Sequence, residues 1–349
     1  MKKTILAVAI ASLSSTAMAV ELYNNDGTTF AVGGHVSVNL HGSEQDDTGV
    51  GSNSPRINFT ATQDLGNGFT ADARGEWQLN YLNGGDNSFT TRLGYVGLTH
   101  EDFGRAVAGT QWAPYYDVAG VADMPIAFAN DFLYVAHGET GTGRGENMIS
   151  YRNGLSFEEA GAINFGFAWQ AKQTTTYTDE YTNDNGFVIR DEMKVRYGDR
   201  IQATVSYEFM GAKLGYAYNT GDVAGDSLDY NTVSAAYGSY GKGLYLAGVY
   251  QNTKDKYDNS KAEGYEALAA YGLANSLNLS INYEMVEVKE GTTGEKATTR
   301  EEMALQAEYN FKPNFVGYTG YQFDLNSKPM SGVKRDTDDK WVIGARIYL

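Results

Sequence analysis

The four histidines are the residues whose type most directly suggests chemistry, because imidazole binds metals and transfers protons near neutral pH. They are His35, His41, His100 and His137, and no two have the His-x-x-x-His spacing that places two ligands on one helix face. His35 and His41 share the polar face of one predicted strand, but they are six residues apart. Six residues of extended strand separate two side chains by roughly 20 Å, which is too far for them to share a metal ion. The chain contains no cysteine that could add a thiolate ligand or a disulfide. The sequence therefore predicts no metal site and no cofactor.

Other clusters that could carry chemistry have simpler interpretations. No serine lies in the Gly-x-Ser-x-Gly setting of an esterase nucleophile. Glu44, Asp46 and Asp47 lack the spacing and the glycine of an EF-hand loop, which favours a solvated surface loop. The formal net charge of −16 argues against a nucleic-acid partner, whose phosphates require a basic surface. An enzyme is a minor alternative on these grounds.

Arginines in the middle of predicted strands are a stronger signal. Arg56, Arg74 and Arg92 fall on the polar faces of runs whose other faces are apolar, and Glu76 shares a face with Arg74. A dry protein interior would not accept such charges without partners. We therefore expect the polar faces to line a water-filled space.

The arginines lie in runs that alternate apolar and polar residues, and a period of two predicts β-strands. The clearest pair is 56–62 and 69–79, joined by a turn of Gly66, Asn67 and Gly68. About 16 such runs succeed one another. Short turns alternate with long polar connections at 172–199, 252–264 and 286–301.

This organisation is typical of outer-membrane barrels, in which only alternate residues face lipid. Aromatic residues at the ends of runs on the apolar face suit two interfacial girdles; examples are Trp77, Trp169, Tyr309 and Trp341. The pattern predicts an all-β fold, an antiparallel transmembrane β-barrel of about 16 strands. A large soluble β-sandwich or propeller is the alternative, but its core would not be matched throughout by a polar face.

One long segment, from Trp112 to Arg144, follows neither the strand nor the helix period. A loop of this length inside a compact domain is usually functional. Pro114 and Pro125 lie within it, and each lacks the N–H that a sheet ladder needs. We predict that this loop folds into the barrel lumen and narrows it. The loop residues predicted at the constriction are Pro114, Asp117, Pro125 and Phe128.

The first residues predict export. Lys2 and Lys3 precede a short apolar run, and Ala17-Met18-Ala19 follows as a small-x-small site. These are the three parts of a secretory signal peptide, and the run is too short to span a membrane as a helix. We predict a signal peptide at 1–19 and a single barrel domain at 20–349.

The chain resembles the general diffusion porins of Gram-negative outer membranes. The motifs that carry the resemblance are Glu-Leu-Tyr-Asn-Asn-Asp-Gly at 21–27, Gly-Glu-Trp-Gln-Leu-Asn at 75–80, Thr-Arg-Leu-Gly-Tyr-Val-Gly-Leu at 91–98, Asp-Met-Pro at 123–125 and Tyr-Arg-Asn at 151–153. The resemblance covers the mature chain in hairpin order. It implies a homotrimer of 16-stranded barrels, each with an inward-folded third loop. It also implies that Arg56, Arg92 and Arg152 are wall arginines facing the loop acid Asp123.

Three features depart from the family pattern. His35 stands where the family has a lysine in its first strand, and Ile126-Ala127-Phe128 replaces the usual loop glutamate. Leu349 stands where members usually present a terminal phenylalanine to the assembly machinery. The first two changes remove charge from the constriction, so the family's selectivity cannot be carried over.

The resulting functional prediction is a passive outer-membrane channel for ions and small hydrophilic solutes. Arginines opposite carboxylates would create a transverse field that disfavours apolar solutes, whose passage strips ordered water. The predicted pore residues are Arg56, Arg92, Arg152, Asp123, His35 and Arg74. The expected partners are identical subunits, outer-membrane lipid and lipopolysaccharide, and the barrel-assembly machinery through the C-terminal strand. Alternatives are a substrate-specific channel, an outer-membrane barrel enzyme and, through the long loops, a surface adhesin or phage receptor.

Overall fold

A computed structural model describes residues 19–82, 89–128, 132, 136–182, 188–255, 260–325 and 337–349. The predicted signal peptide lies outside the described residues except for Ala19. The described part of the chain forms one antiparallel sheet of 19 strands. Sixteen of these strands close a barrel, as predicted. The other three, β1, β3 and β10, pair along the ends of barrel strands.

The strand bounds are as follows: β1 Val20–Asn25, β2 Thr28–Ser43, β3 Gly49–Gly51, β4 Arg56–Gly66, β5 Phe69–Leu79, β6 Phe89–His100, β7 Gly104–Trp112, β8 Arg144–Ser156, β9 Ala162–Gln170, β10 Gln173–Thr182, β11 Val188–Phe209, β12 Ala212–Val223, β13 Asp226–Ser239, β14 Lys242–Asp255, β15 Lys261–Gly272, β16 Leu277–Lys289, β17 Lys296–Lys312, β18 Phe315–Asp324 and β19 Lys340–Tyr348. Two short helices, α1 Pro114–Ala119 and α2 His137–Thr140, interrupt the strands. Among the described residues, no helix is long and apolar enough to cross a membrane.

The barrel closes between its last strand and its first long strand. β19 pairs with β2 from Lys340 opposite Ser43 to Tyr348 opposite His35. β1 pairs with the other end of β2, where β4 already occupies the opposite edge. β1 and β19 therefore share one edge of β2, and between them they leave no long unpaired stretch along it.

Side chains alternate between the two faces of the sheet as the period predicts. In β2, Val36, Val38 and Leu40 are 37%, 46% and 48% exposed on the outer face. The residues between them, Ser37 and Asn39, are 2% and 7% exposed on the inner face. The barrel is therefore apolar outside and polar inside, which suits a lipid-embedded wall around an aqueous lumen.

The faces of β6 change part of the way along the strand. Arg92 faces the lumen as predicted, and strict alternation would then place Leu93 outside, but Leu93 at 3% exposure faces inward and Val96 at 62% faces outward. The cause is a β-bulge, because Glu76 pairs with Leu93 whereas the next residue, Trp77, pairs with Thr91. Arg92 is the extra residue, and it changes the face of every later side chain.

The predicted connections agree with the structure where they are tight and differ where they are long. The turns after β4, β13 and β15 are short, as expected. The 172–199 segment, predicted as a loop, is mostly strand, because β10 and the start of β11 pair from Gln173 opposite Tyr197 to Thr182 opposite Val188. Threonine and tyrosine are common in strands, so the composition of the segment suits a β-hairpin. The hairpin was not predicted because the segment does not alternate between apolar and polar residues.

Candidate pore constriction

The long loop has the predicted bounds, because β7 ends at Trp112 and β8 begins at Arg144. Within it, α1 starts with Pro114, whose fixed φ and missing N–H suit the first turn of a helix. A 3₁₀ turn at Gly120–Ala122 follows, and α2 precedes the return to β8. Each helix is only one or two turns long. A segment this short contains too few residues for a helical period to be recognised in the sequence.

The first half of the loop is packed inside the barrel against an apolar cluster. Tyr115 and Ala119 are 0% exposed and Val118 is 2% exposed, and the cluster includes Val249 and Leu268 of the facing wall. Apolar side chains on the inner face of β14 and β15 are exceptions to the polar lining. They give the loop a surface on which to bury its own apolar residues.

Hydrogen bonds fix this half of the loop to the same wall. The Tyr115 hydroxyl contacts the Thr232 hydroxyl and donates to Oε1 of Gln251 at 2.7 Å. Burial raises the pKa of Tyr115, so the phenol stays protonated as a donor. The Tyr245 hydroxyl donates to the backbone carbonyl of Val121 at 2.6 Å. The loop therefore lies across β11 to β15 and blocks that side of the lumen.

The loop tip is attached to β17 through its backbone. The N–H of Ile126 donates to Oε1 of Glu308 at 2.8 Å, and the N–H of Phe128 donates to Oε1 of Gln306 at 2.9 Å. Gln306 also donates to the carbonyl of Phe128 at 2.8 Å. Pro125 is buried, and the ring of Phe128 lies where a side chain at Gly320 would stand. These contacts fix the tip at a second place on the barrel wall.

The return of the loop is held by amide side chains of the wall. Gln170 donates to the carbonyl of Gly138 at 2.5 Å, and Asn219 donates to the carbonyl of Thr140 at 2.6 Å. Gln202 donates to the carbonyl of Gly141 at 2.8 Å. All three acceptors are backbone carbonyls. These contacts therefore fix the path of the loop backbone and depend little on the side chains of the loop.

The opposite wall carries three of the predicted arginines around one carboxylate. Glu76, 2% exposed, lies 2.9 Å from Nη2 of Arg74 and 3.0 Å from Nε of Arg92. Its distance to Nη1 of Arg56 is 3.7 Å. Three positive charges share one negative charge, so this wall keeps a net positive charge of about two if all four groups are ionised.

Arg152, the fourth predicted wall arginine, does not belong to this group. Its Nε lies 2.6 Å from Oδ2 of Asp117, and its Nη2 donates to the carbonyl of Trp112 at 2.7 Å. Asp117 was predicted as a loop residue of the constriction, and the structure places it on α1 as the partner of Arg152. The pair joins the loop to β8.

Asp123 lies on the loop after the 3₁₀ turn and accepts a hydrogen bond from the Tyr116 hydroxyl. The Tyr116 ring stacks on Trp112 with centroids 4.2 Å apart, and the Arg144 guanidinium lies 5.7 Å from the Trp112 ring centroid. Arg144, Trp112 and Tyr116 thus form one stack along the loop. The stack holds a guanidinium and, through Tyr116, a carboxylate at fixed places in the lumen.

His137 of α2 adjoins this stack. Its Nδ1 accepts the backbone N–H of Arg144 at 3.2 Å, and its Nε2 lies 3.1 Å from Nη2 of the same residue. Burial and then the positive charge of Arg144 lower the pKa of His137 to about 4. The imidazole is therefore neutral at physiological pH, which is the state that can accept a hydrogen bond.

His35 lies in the wall beside the arginines, on the polar face as predicted. It is 2% exposed, and its ring meets that of Tyr348 edge to face with centroids 5.7 Å apart. It pairs with Arg56 across β2 and β4. At this position the imidazole ring fills the wall.

Three charged residues near the constriction were not singled out in the sequence. Arg346 of β19 and Glu308 of β17 lie on inner faces of their strands, and Arg144 was taken only as the end of the loop. The polar phase could have identified the first two, but their place near the other charges depends on strand register and barrel closure.

The arrangement can select solutes by size and charge. The loop occupies the side of the lumen along β11 to β15 and its tip reaches β17. The uncovered side carries Arg56, Arg74, Arg92 and Arg346 on β4, β5, β6 and β19. Fixed charges in a narrow aqueous passage act at short range and are weakly screened.

Comparisons with known proteins bear on the family and the fold. A family model described as Gram-negative porin matches residues 6–329. Outer membrane protein S2 of Salmonella typhi is 28% identical over 360 residues, covering 93% of each chain. The solved structure of Salmonella typhi OmpF in complex with daunomycin has a TM-score of 0.71 at 20% identity, covering 95% of this chain and 100% of that one. The trimer form of OmpT, an outer membrane protein of Vibrio cholerae, has a TM-score of 0.66 at 17% identity and covers 93% and 100% of the two chains.

Proposed function

The chain belongs to the Gram-negative porin family, and on that premise we propose that its channel is narrowest between the inward-folded loop and the arginine wall. The protein is an outer-membrane general diffusion channel for ions and small hydrophilic solutes. Family and relatives indicate a channel rather than an enzyme. What the proposal adds is the place and the residues of the constriction.

The observation that carries the proposal is the one-sided position of the loop. Its apolar residues are buried against β14 and β15, and its tip is bonded to Gln306 and Glu308 of β17. The wall that carries Arg56, Arg74 and Arg92 stays on the other side. Solutes must then pass between a loop edge with Asp123 and a wall with excess positive charge.

This passage favours small polar solutes. An apolar solute would displace water ordered between the two sets of charges without replacing its hydrogen bonds. The acidic mouth loops concentrate cations, whereas the wall arginines favour anions. Because the two effects oppose each other, we propose that the pore has only a mild cation preference.

We also propose a homotrimer, as in the trimer form of OmpT. Gly94, Ala106 and Ala108 are small residues exposed on the outer face of β6 and β7, and they offer a surface for close packing between barrels. The nearby Gly97 does not belong to this surface, because a side chain there would meet Oδ1 of Asp72 at 2.5 Å on the lumen side. Contacts with lipopolysaccharide, and insertion through the C-terminal strand, are proposed on family grounds.

Deletion of residues 119–130 tests the position of the constriction. Single-channel conductance in planar bilayers should rise, and liposome swelling should admit larger sugars than the wild type does. Between β16, which extends to Lys289, and β17, which begins at Lys296, the predicted 286–301 connection is reduced to a short turn. Deleting residues 291–294 from this turn is the control and should leave both readouts unchanged. An unchanged conductance in a folded 119–130 deletion would mean that the loop does not limit the pore.

A further inference from the structure

We propose that Arg56 and Arg346 together form a binding site, in the lumen wall, for the carboxylate or phosphate group of a small solute. The inference rests on the proposed function, because the site is useful only if solutes pass along this wall. It names a class of solute that the channel would retain briefly on its way through. Neither the sequence motifs nor the comparisons point to Arg346.

The first argument is that one short segment positions both guanidinium groups. Nε of Arg56 donates to the carbonyl of Ser54 at 3.0 Å, and Nη2 of Arg346 donates to the carbonyl of Asn53 at 3.2 Å. Arg56 begins β4, whereas Arg346 belongs to β19, on the other side of β2. Two side chains from different strands are thus held by adjacent carbonyls.

The segment itself is fixed. Ser54 has a φ of 45°, a left-handed conformation that an L-residue adopts only when its surroundings impose it. Ser37 holds the neighbouring residue at both backbone groups, since its Oγ accepts from the N–H of Asn53 at 2.9 Å and donates to the carbonyl of Asn53 at 3.0 Å. The two guanidinium groups are therefore preorganised.

The second argument is electrostatic. Among the described residues, no carboxylate lies within salt-bridge distance of Arg346, although Glu308 interacts with it electrostatically from a greater distance. Arg346 also contacts the Tyr348 hydroxyl at 3.4 Å and the Tyr348 ring at 5.9 Å. Arg56 has one carboxylate, Glu76 at 3.7 Å, which also serves Arg74 and Arg92. The charges of Arg92, Arg346 and Arg144 all act on Arg56. An oxyanion between Arg56 and Arg346 would relieve this repulsion.

The third argument is access. The side chain of Arg56 is 14% exposed and Arg346 is half-buried on the inner face of β19, so both reach the lumen. The planar guanidinium fork matches a carboxylate or a phosphate group with two parallel hydrogen bonds. A carboxylate and a phosphate share this chemistry, so the site is assigned to oxyanions in general.

The experiment uses the full-length protein in planar bilayers and compares three solutes of similar size: glucose, gluconate and glucose 6-phosphate. The wild type should show concentration-dependent current interruptions with the two anions and none with glucose. In R346Q, the concentration of anion that halves the current should rise roughly tenfold, as expected for the loss of a charge-assisted hydrogen bond. A response to only one of the two anions would assign the site to that group.

Two further variants separate a site from a general charge effect. K340Q removes a positive charge from the same strand at its exposed end and should behave like the wild type. R346K keeps the charge but loses the fork, and should bind the anions more weakly than the wild type. Equal effects of R346Q and K340Q, or an R346K indistinguishable from the wild type, would overturn the proposal.

Failure of the proposed function would have a different signature. If the wild type passes neither ions nor glucose, the channel assignment fails. If it passes both but neither anion interrupts the current, only the oxyanion site is wrong. A heat-modifiable band with the mobility of the wild type shows that R346Q has folded.

Discussion

Arg152 and Asp117 connect the barrel wall to the loop that narrows it, with Nε and Oδ2 2.6 Å apart and both side chains at least three-quarters buried. The same arginine holds the carbonyl of Trp112, where the loop leaves β7. One guanidinium thus fixes both the start of the loop and its first helix.

Replacing Asp117 with Asn should loosen the loop, because Arg152 loses its only ionic partner among the described residues. The expected cost is about 1–3 kcal/mol, the range for a hydrogen bond to a charged group. Conductance should become noisier, and the band shift on heating should occur at a lower temperature. The double variant D117N/R152Q should lose less than the sum of the single changes. D47N, in an exposed loop, is the control.

Replacing Glu76 with Gln should make the pore more anion-selective. Arg56, Arg74 and Arg92 lose the carboxylate they share, so the positive potential of the wall increases. Reversal potential in a salt gradient measures the change. E287Q removes a carboxylate that pairs with Lys296 near the strand end and should shift the reversal potential much less. Equal shifts would show that Glu76 is remote from the narrowest point.

Replacing Arg92 with Gln should raise the cation-to-anion permeability ratio at both low and high salt. Charges inside the lumen act at short range, whereas exposed charges are screened beyond about 8–10 Å at physiological salt. D46N and D47N, in the exposed mouth loop, should therefore alter the reversal potential only at low salt. If R92Q leaves the reversal potential untouched at every salt concentration, Arg92 does not line the constriction.

The stability of the loop should depend on pH through His137. Its pKa of about 4 in the folded protein lies below the ordinary value of 6.5, so the unfolded state binds the proton more tightly. The contribution of His137 is complete above pH 6.5 and is lost as the pH falls towards 4. The heat-modification temperature of the wild type should fall over this interval more than that of H137Q. Parallel curves for the two proteins would contradict the assignment.

Replacing Tyr115 with Phe should weaken the attachment of the loop to the wall. Thr232 and Gln251 then lose the buried hydroxyl, at an expected cost of about 1–3 kcal/mol. Y115A should cost more, about 3–5 kcal/mol, because it also leaves a cavity. Increased cleavage of the loop by an added protease would report the loosening. Y216F, which removes an exposed hydroxyl, is the control.

The sequence was sufficient to predict most strand faces, the bounds of the loop and the inward position of the arginines, because alternation and proline content are local properties. The part of β6 after its bulge is the exception among the faces. It could not predict which charges meet. Glu76 serves three arginines only because β4, β5 and β6 have a particular register, and the bulge at Arg92 is invisible in the apolar pattern. The ion pair of Asp117 with Arg152 likewise depends on where the loop lies inside the barrel.

Barrel closure through β2 has a consequence for biogenesis. Arg346 and Asn53 touch although they are 293 positions apart in the chain, so this part of the wall cannot exist until almost the whole polypeptide has been synthesised. Contacts between such distant segments form late and slowly. Until then, one edge of β2 has unpaired backbone N–H and C=O groups, which can pair with a strand of another chain. The polypeptide must therefore be kept apart from its copies during transit, and the appearance of anion block would mark the moment at which the barrel has closed.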